Sequence, residues 1–395
     1  MAYSGRPAAR HILTLALTAA MVGSVLPAPV AAPAEAALSV AAPATVRAAL
    51  VDHGDGVRSL DIPLGEADLA RTSRGRYRSD VVHAGRFSMV GVTWRGKART
   101  VRVMVRVDGV WTGWTRLAML TDGPDRDSGE GDGIVGTDLR WVDHAGAVRV
   151  EVAGRRPREL TLSLMEPYRT VSSPRVQPTR ATPARIKTER ERAPRPRPVL
   201  LSRTDWGADP ELRSGSPVFN RTIQQVHVHH TVNSNDYSQA DVPGLLRGIY
   251  RYHTQNLGWS DIGYNFLVDR FGRTWVGRAG GAKRSVRGAH TLGFNATSTG
   301  VAVIGNFDTA DPGHKVLTAV VQLAAWKLHR HDRQPDRKVH VYSHGSDRFG
   351  SGQTVWLPAV DGHRDTNETA CPGGRLYRHL DVIRKRAAQR EARFR

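Results

Sequence analysis

Between Arg169 and Leu200 the chain reads "RTVSSPRVQPTRATPARIKTERERAPRPRPVL", rich in Pro, Arg, Ser and Thr and almost devoid of large apolar side chains. Such a stretch cannot bury enough surface to offset the entropy lost on ordering. It is expected to be a linker over 169–200, semi-extended where its prolines cluster, and to divide the chain into two domains. With 395 residues in all, each side is long enough for a sizeable core.

The hydrophobic period differs on the two sides. From Phe87 to Pro167 it is two: "VRVMVRVDGVWTGWTRL" (101–117) puts Val101, Val103, Val105 and Val107 on one face, and Asp108-Gly109 reads as a tight hairpin turn. "VRVEVAG" (148–154) and "ELTLSLMEP" (159–167) repeat the alternation, whereas residues 40–80 are weakly patterned. Short strands with Gly and Asp turns predict an all-β sandwich-like accessory domain over 40–168. Within it, "DGPDRDSGEGDG" (122–133) is acidic and glycine-rich. Its Asp125-x-Asp127 start resembles a calcium loop, but the later ligands of an EF-hand are missing, so the expectation is a solvated loop with calcium as the alternative. No catalytic set assembles in this half, which suits adhesion or positioning.

After Leu201 strands and helices mix. "IQQVHVHHT" (223–231) reads as a strand, "VPGLLRGIYRYHTQN" (242–256) has helical spacing, and "IGYNFLVDRFGRTWVGR" (262–278) reads as strand, turn, strand. "GVAVIGNF" (300–307) is a nearly all-apolar strand, as a strand buried on both faces requires. "LTAVVQLAAWKLHRH" (317–331) is a long helix with cationic residues in its last turn, where the helix dipole favours them. The fold class predicted for 201–385 is α/β, with a mixed central β-sheet flanked by helices, followed by a basic tail at 386–395.

The beginning of the chain sets the expected compartment. Arg6 and Arg10 precede the apolar run 12–26, and Ala34-Glu35-Ala36 supplies a small-residue cleavage site. This is the pattern of a signal peptide over 1–36, with an uncleaved anchor as the alternative. The apolar run is shorter than the roughly 20 residues needed to span a bilayer, and no later stretch is long and apolar enough. A secreted, cell-wall-associated protein without stable membrane insertion is expected, and as a monomer. The charge, 57 − 37 = +20, favours polyanions such as a phosphate-bearing wall polymer. Arginine drift in a GC-rich genome is the competing origin. Export, with no basic recognition helix or aromatic-rich basic sheet, argues against nucleic acid.

Cys371 is the only cysteine. One cysteine forms no internal disulfide, which leaves burial, a cross-link between chains, or a metal. Its Pro and Gly neighbours suit a packed helix or strand poorly. Zinc prefers Cys and His and keeps one position open when catalytic. A strand-end histidine of "HVHH", where His227 and His229 share a face and His230 takes the other, would complete such a site with His363 and Cys371. His340 and His344 form a rival pair that spacing does not exclude.

"SRTDWGAD" (202–209), "VHHT" (228–231), "GWSDIGYNFLV" (258–268), "GAHTLGFNATSTGVAVIGNF" (288–307) and "GHRDTNETACPG" (362–373) occur in that order. Residues 200 to 380 thereby resemble the peptidoglycan recognition proteins, whose zinc-bearing members are N-acetylmuramoyl-L-alanine amidases. Less specifically, the β-region resembles domains ahead of such amidases in exported actinobacterial proteins. The resemblance implies Zn²⁺ on His229, His363 and Cys371, and Tyr264 as the residue that polarises the scissile carbonyl. Thr369 falls where the recognition proteins carry Thr and the phage enzymes Lys. A related cytosolic branch carries Asp at the position of Cys371. The implied reaction is attack of metal-activated water on the amide joining muramic acid to L-alanine of peptidoglycan, with the general acid left open. His253, His290 and Asn295 fall at groove-lining positions, where a structural role is the alternative. Trp206 and Trp259 read as core or loop anchors. Relatives lacking the cysteine bind wall fragments without cleaving them, which makes a binding-only module or wall adhesin the rival reading.

Overall fold

The structure, a computed structural model, describes residues 46–96, 100–154, 157–169 and 197–394. The expected signal peptide and most of the expected linker lie outside the described residues.

Two strands of 14 residues, Val82–Arg95 and Arg140–Ala153, frame the first domain. They pair antiparallel over part of their length, with irregular register on either side of Ala145. Val82–Arg95 then pairs with Arg158–Pro167, and Arg140–Ala153 with Thr100–Val107. Each long strand thus changes partner along its length, as strands do at the corners of a β-sandwich. Val101, Val103 and Val105 face the core as their period predicts, while Val107 at the strand end is only partly buried. The Asp108-Gly109 turn has φ of 48° and 82°, the left-handed pair a two-residue hairpin needs.

One feature of the sandwich departs from an alternating exposed sheet. Phe87 to Trp94 are buried on both faces. Val90, Val92 and Trp94 point into the sandwich core. Met89 and Met165, with Leu139, instead join a core cluster whose other members come from the second domain, among them Leu245, Ile249, Tyr252 and Leu257. The described residues belong to one compact unit spanning 43–395.

The second domain is the predicted mixed sheet. Its order is Leu200–Leu201, Thr274–Val276, Phe266–Val268, Ser298–Val303, Gln225–His230, Val360–Gly362, parallel except between Thr274–Val276 and Phe266–Val268. Helices His314–His329 and Leu380–Ala392 cover one face through Val316, Val320, Leu323, Ile383 and Ala387. Helix Val242–Arg251, continued by a wider turn at Tyr252–Asn256, covers the other and carries the sandwich on its outer side, so all ten of its residues are buried. The basic tail expected at 386–395 is instead helical to Ala392: Ala387 packs into the core and Glu391 accepts a 3.1 Å bond from His329. No helix among the described residues is long and apolar enough to cross a membrane.

Candidate metal centre

The site lies at the C-terminal ends of two adjacent parallel strands, where open α/β sheets place their ligands. Register pairs Val226 with Val360 and Val228 with Gly362, so His229 comes to stand beside His363 just past the end of its strand. Their ring centroids are 4.6 Å apart. The 363–371 loop then returns Cys371, whose Sγ lies 3.8 Å from His229 Nδ1. The donor atoms of His229, His363 and Cys371 all fall within 4.8 Å of one another. The rivals go elsewhere: His340 stacks on Trp356 in a peripheral hairpin, and His344 bonds Asp127. His227 is hydrogen-bonded to the buried Asp361.

These residues fit a zinc ion. Tetrahedral bonds of about 2.0–2.1 Å to nitrogen or oxygen and 2.3 Å to sulfur put donors roughly 3.3–3.6 Å apart; here Cys371 Sγ and His229 Nδ1 are 3.8 Å apart and all three donors lie within 4.8 Å. His229 Nε2 shares a 3.1 Å hydrogen bond with His290 Nδ1, which leaves Nδ1 free to face the site. His363 is buried, and neither ring nitrogen makes an aligned hydrogen bond; Nδ1 meets the Asp122 carboxylate in an ion-pair contact, which leaves Nε2 without a polar partner. Burial drives the His229 imidazole down to about 4, keeping it neutral. Burial, together with the negative charge of Asp122, pushes the Cys371 thiol well up, so a cation is required to make it a thiolate ligand.

Tyr264 stands over the triad, its ring 5.5 Å from that of His229. Burial and the neighbouring Asp122 hold its hydroxyl well above the usual range, so it remains a proton donor. Thr369 lines the same cavity, and its hydroxyl accepts the Cys371 N–H at 3.2 Å. His253 lines it too, its ring tilted against Trp259 with centroids 4.5 Å apart, and it accepts the Gly263 N–H at 3.0 Å. Burial lowers His253 to about 3, so it is neutral.

The other two expected groove residues are placed differently. His290 lies behind His229 and does not line the cavity; it is a buried supporting residue. Asn295 is buried and structural: its carbonyl oxygen accepts from the N–H groups of His290 and Thr291, and its amide donates to Gly123 O and Asp125 Oδ1. Trp206 is core, donating to Val276 O at 2.8 Å, while Trp259 supports a loop that passes over it.

That loop is 122–133; carboxylates within it dock it onto the second domain, while Arg126, Asp127, Gly129 and residues 131–133 remain exposed. Asp125 accepts from the Gly293 N–H at 2.8 Å and from Asn295 at 2.9 Å. Glu130 pairs with Arg278 and accepts the Ser260 N–H at 3.2 Å. Asp127 takes His344 at 3.0 Å. At its start, Asp122 enters the site: Oδ1 lies 3.0 Å from His363 Nδ1 and 3.6 Å from His229 Nδ1, and Oδ2 accepts the Tyr264 hydroxyl at 2.6 Å. Burial opposes its charge, but the two imidazoles outweigh that and hold the carboxyl well below its ordinary range. Beneath it remains a cavity of about 30 Å³, closed on the sandwich side by Leu120, Asp138 and Leu139. Sequence reasoning missed Asp122 because the pairing spans 142 positions to Tyr264 and carries no local pattern.

A mixed sheet presenting His, His and Cys at its strand ends under a tyrosine defines a domain of the peptidoglycan amidase or recognition class. Residues 219–374 match the family model for N-acetylmuramoyl-L-alanine amidase, and residues 33–191 match one described as Rv3811 N-terminal galactose-binding domain-like. Peptidoglycan-recognition protein SA of Drosophila melanogaster is 34% identical over 167 residues, covering 42% of this chain and 79% of that protein. Peptidoglycan-recognition protein LB of the same fly is 30% identical over 182 residues, covering 46% and 67%. A solved structure of Drosophila PGRP-LB is 29% identical, covering 46% of this chain and 92% of its own, with a TM-score of 0.37. The chain belongs to the peptidoglycan recognition protein family through its C-terminal domain, with a galactose-binding-like β-domain ahead of it.

Proposed function

We propose that this protein is an exported, zinc-dependent N-acetylmuramoyl-L-alanine amidase that cuts stem peptides from the glycan of peptidoglycan. The observation that carries the reading is the convergence of His229, His363 and Cys371 under the Tyr264 hydroxyl. When bound, zinc supplies a Lewis acid and a water of lowered pKa. The chain's own residues do the rest. Tyr264, held protonated, donates to the carbonyl oxygen as negative charge develops on it. Thr369 fixes the cysteine-bearing turn through the Cys371 N–H. His253 packs edge-on against the tyrosine, ring centroids 5.6 Å apart, and is itself backed by Trp259. His290 orients His229. The pattern at residues 1–36 supports export, and the net charge of +20 supports an anionic wall polymer as a second partner.

Mass spectrometry of digests from purified wall tests the reading. Peptides beginning at L-alanine, together with free glycan and a loss of both on chelation, are expected. Binding to wall without such products, from protein carrying one zinc, would return the chain to the binding-only reading.

A further inference from the structure

The carboxylate that meets the metal donors comes from the β-domain, not from the domain that holds them. We propose that Asp122 is a fourth ligand of the metal bound by His229, His363 and Cys371, and that residues 122–133 form a strap that must leave before water and the wall amide reach it. The inference rests on the zinc reading above.

Three observations support it. First, Asp122 Oδ1 lies at ligand-to-ligand distance from both imidazole donors, 3.0 and 3.6 Å. Asp122 is in ion-pair contact with His363 Nδ1, which makes no aligned hydrogen bond. Two ligands of one cation sit in that relation. Second, the other oxygen of the same carboxylate takes the Tyr264 hydroxyl. One side chain thereby claims both the open metal position and the oxyanion donor. Third, Asp122 does not sit there by accident of a loose loop. Asp125, Asp127 and Glu130 each have a partner on the amidase domain, and the Arg278–Glu130 pair is nearly buried, at 7% and 14% exposure. The remaining cavity of about 30 Å³ has room for a water or two, not for a stem peptide.

Cobalt(II) in place of zinc in the full-length protein tests this through its visible absorption, with azide as the probe of an open metal position. Wild type should not respond to azide at concentrations that saturate Asp122→Ala, a difference on the order of tenfold or more in apparent affinity. Glu130→Gln leaves every donor in place and only loosens the strap; it should also gain azide response, which separates strap release from damage at the site. Release of peptides from wall should rise in both variants. Equal azide response in wild type and Asp122→Ala, each holding one cobalt, would overturn the inference and leave the zinc reading intact. Failure of wild type to take up cobalt or zinc, or equal uptake by Cys371→Ala, would overturn both.

Discussion

Replacing Gly91 with alanine tests whether the sandwich is packed on the amidase domain or only tethered to it. Gly91 lies in strand Val82–Arg95 on the face turned toward the second domain, and a Cβ there would fall 2.6 Å from Tyr252 Cε2 and 2.8 Å from its hydroxyl. That is about 1 Å short of ordinary carbon contact, which is roughly 3.5–4.0 Å. The ring has nowhere to retreat, since Tyr252 is fully buried and its hydroxyl donates to Thr137 O at 2.8 Å. Overpacking of this kind costs about 1–3 kcal/mol, and disrupting the hydrogen bond adds about 1 kcal/mol. At about 2 °C per kcal/mol for a unit of this size, Gly91→Ala should melt roughly 4–8 °C below wild type by circular dichroism. Gly113→Ala is the control, because a Cβ there meets nothing within 4 Å. In the double variant Gly91→Ala/Tyr252→Ala the two losses should sum to less than their separate values, since one removes the ring that the other strikes. If Gly91→Ala melts within about 1 °C of wild type, the domains do not pack as described and the placement of Asp122 loses its support.

Three further outcomes are expected. Cys371→Ala should lose zinc by elemental analysis and lose amide hydrolysis with it; full turnover after chelation would refute the metal reading. Tyr264→Phe should keep zinc and lower turnover on the order of 10²–10³-fold, as loss of one oxyanion donor does, and an unchanged rate would remove Tyr264 from that role. Lys327 is buried and donates to Ala282 O and Arg284 O, and burial lowers it to about 7. Its folded value lies below its unfolded one, so the unfolded chain binds more protons between them and stability should rise with pH from about 7 toward the ordinary value of 10.5. Lys327→Met should lack that rise in urea unfolding at stepped pH; parallel slopes for the two proteins would contradict it.

How far the sequence reached depends on the range of each interaction. Periodicity is local, so Val101, Val103 and Val105 and the long helix were legible, and of the strand expected at 300–307 the part from Gly300 to Val303 forms, in a strand that begins earlier at Ser298. The His229, His363 and Cys371 cluster was legible because His229 stands near the end of a strand, His363 and Cys371 share one loop, and the motifs around them resemble a family. His290 and Asn295 were located but not understood: a groove position and a position one layer behind it look alike in sequence, and what separates them is that His253 lines the cavity while these two do not. The acidic loop was misread for a related reason. Charge and glycine usually mark a solvated turn, but Asp122, Asp125, Asp127 and Glu130 find partners on a domain folded far along the chain, Arg278 and His344 among them. The double burial of Phe87 to Trp94 was equally hidden, since alternation reports one face and says nothing of a second domain covering the other.

The same packing changes what the β-domain is. A module that only adheres to the wall would keep its own surface and leave the amidase domain complete without it. Here Met89, Leu139 and Met165 share a core cluster with Leu245, Ile249, Tyr252 and Leu257, and Asn256 donates to Asp61 at 2.7 Å and Ser163 at 2.9 Å. Arg251, nearly buried, pairs with Asp55 at 2.9 Å. Removing residues 37–200 would therefore strip cover from a continuous apolar surface beside the candidate site and orphan a buried cation, and exposed patches of that kind promote association. Lost wall affinity in such a truncation would confound adhesion with aggregation. Substitutions along 122–133 avoid the difficulty, because they leave the apolar contact whole and alter only the carboxylates that hold the strap to Gly293, Arg278 and His344.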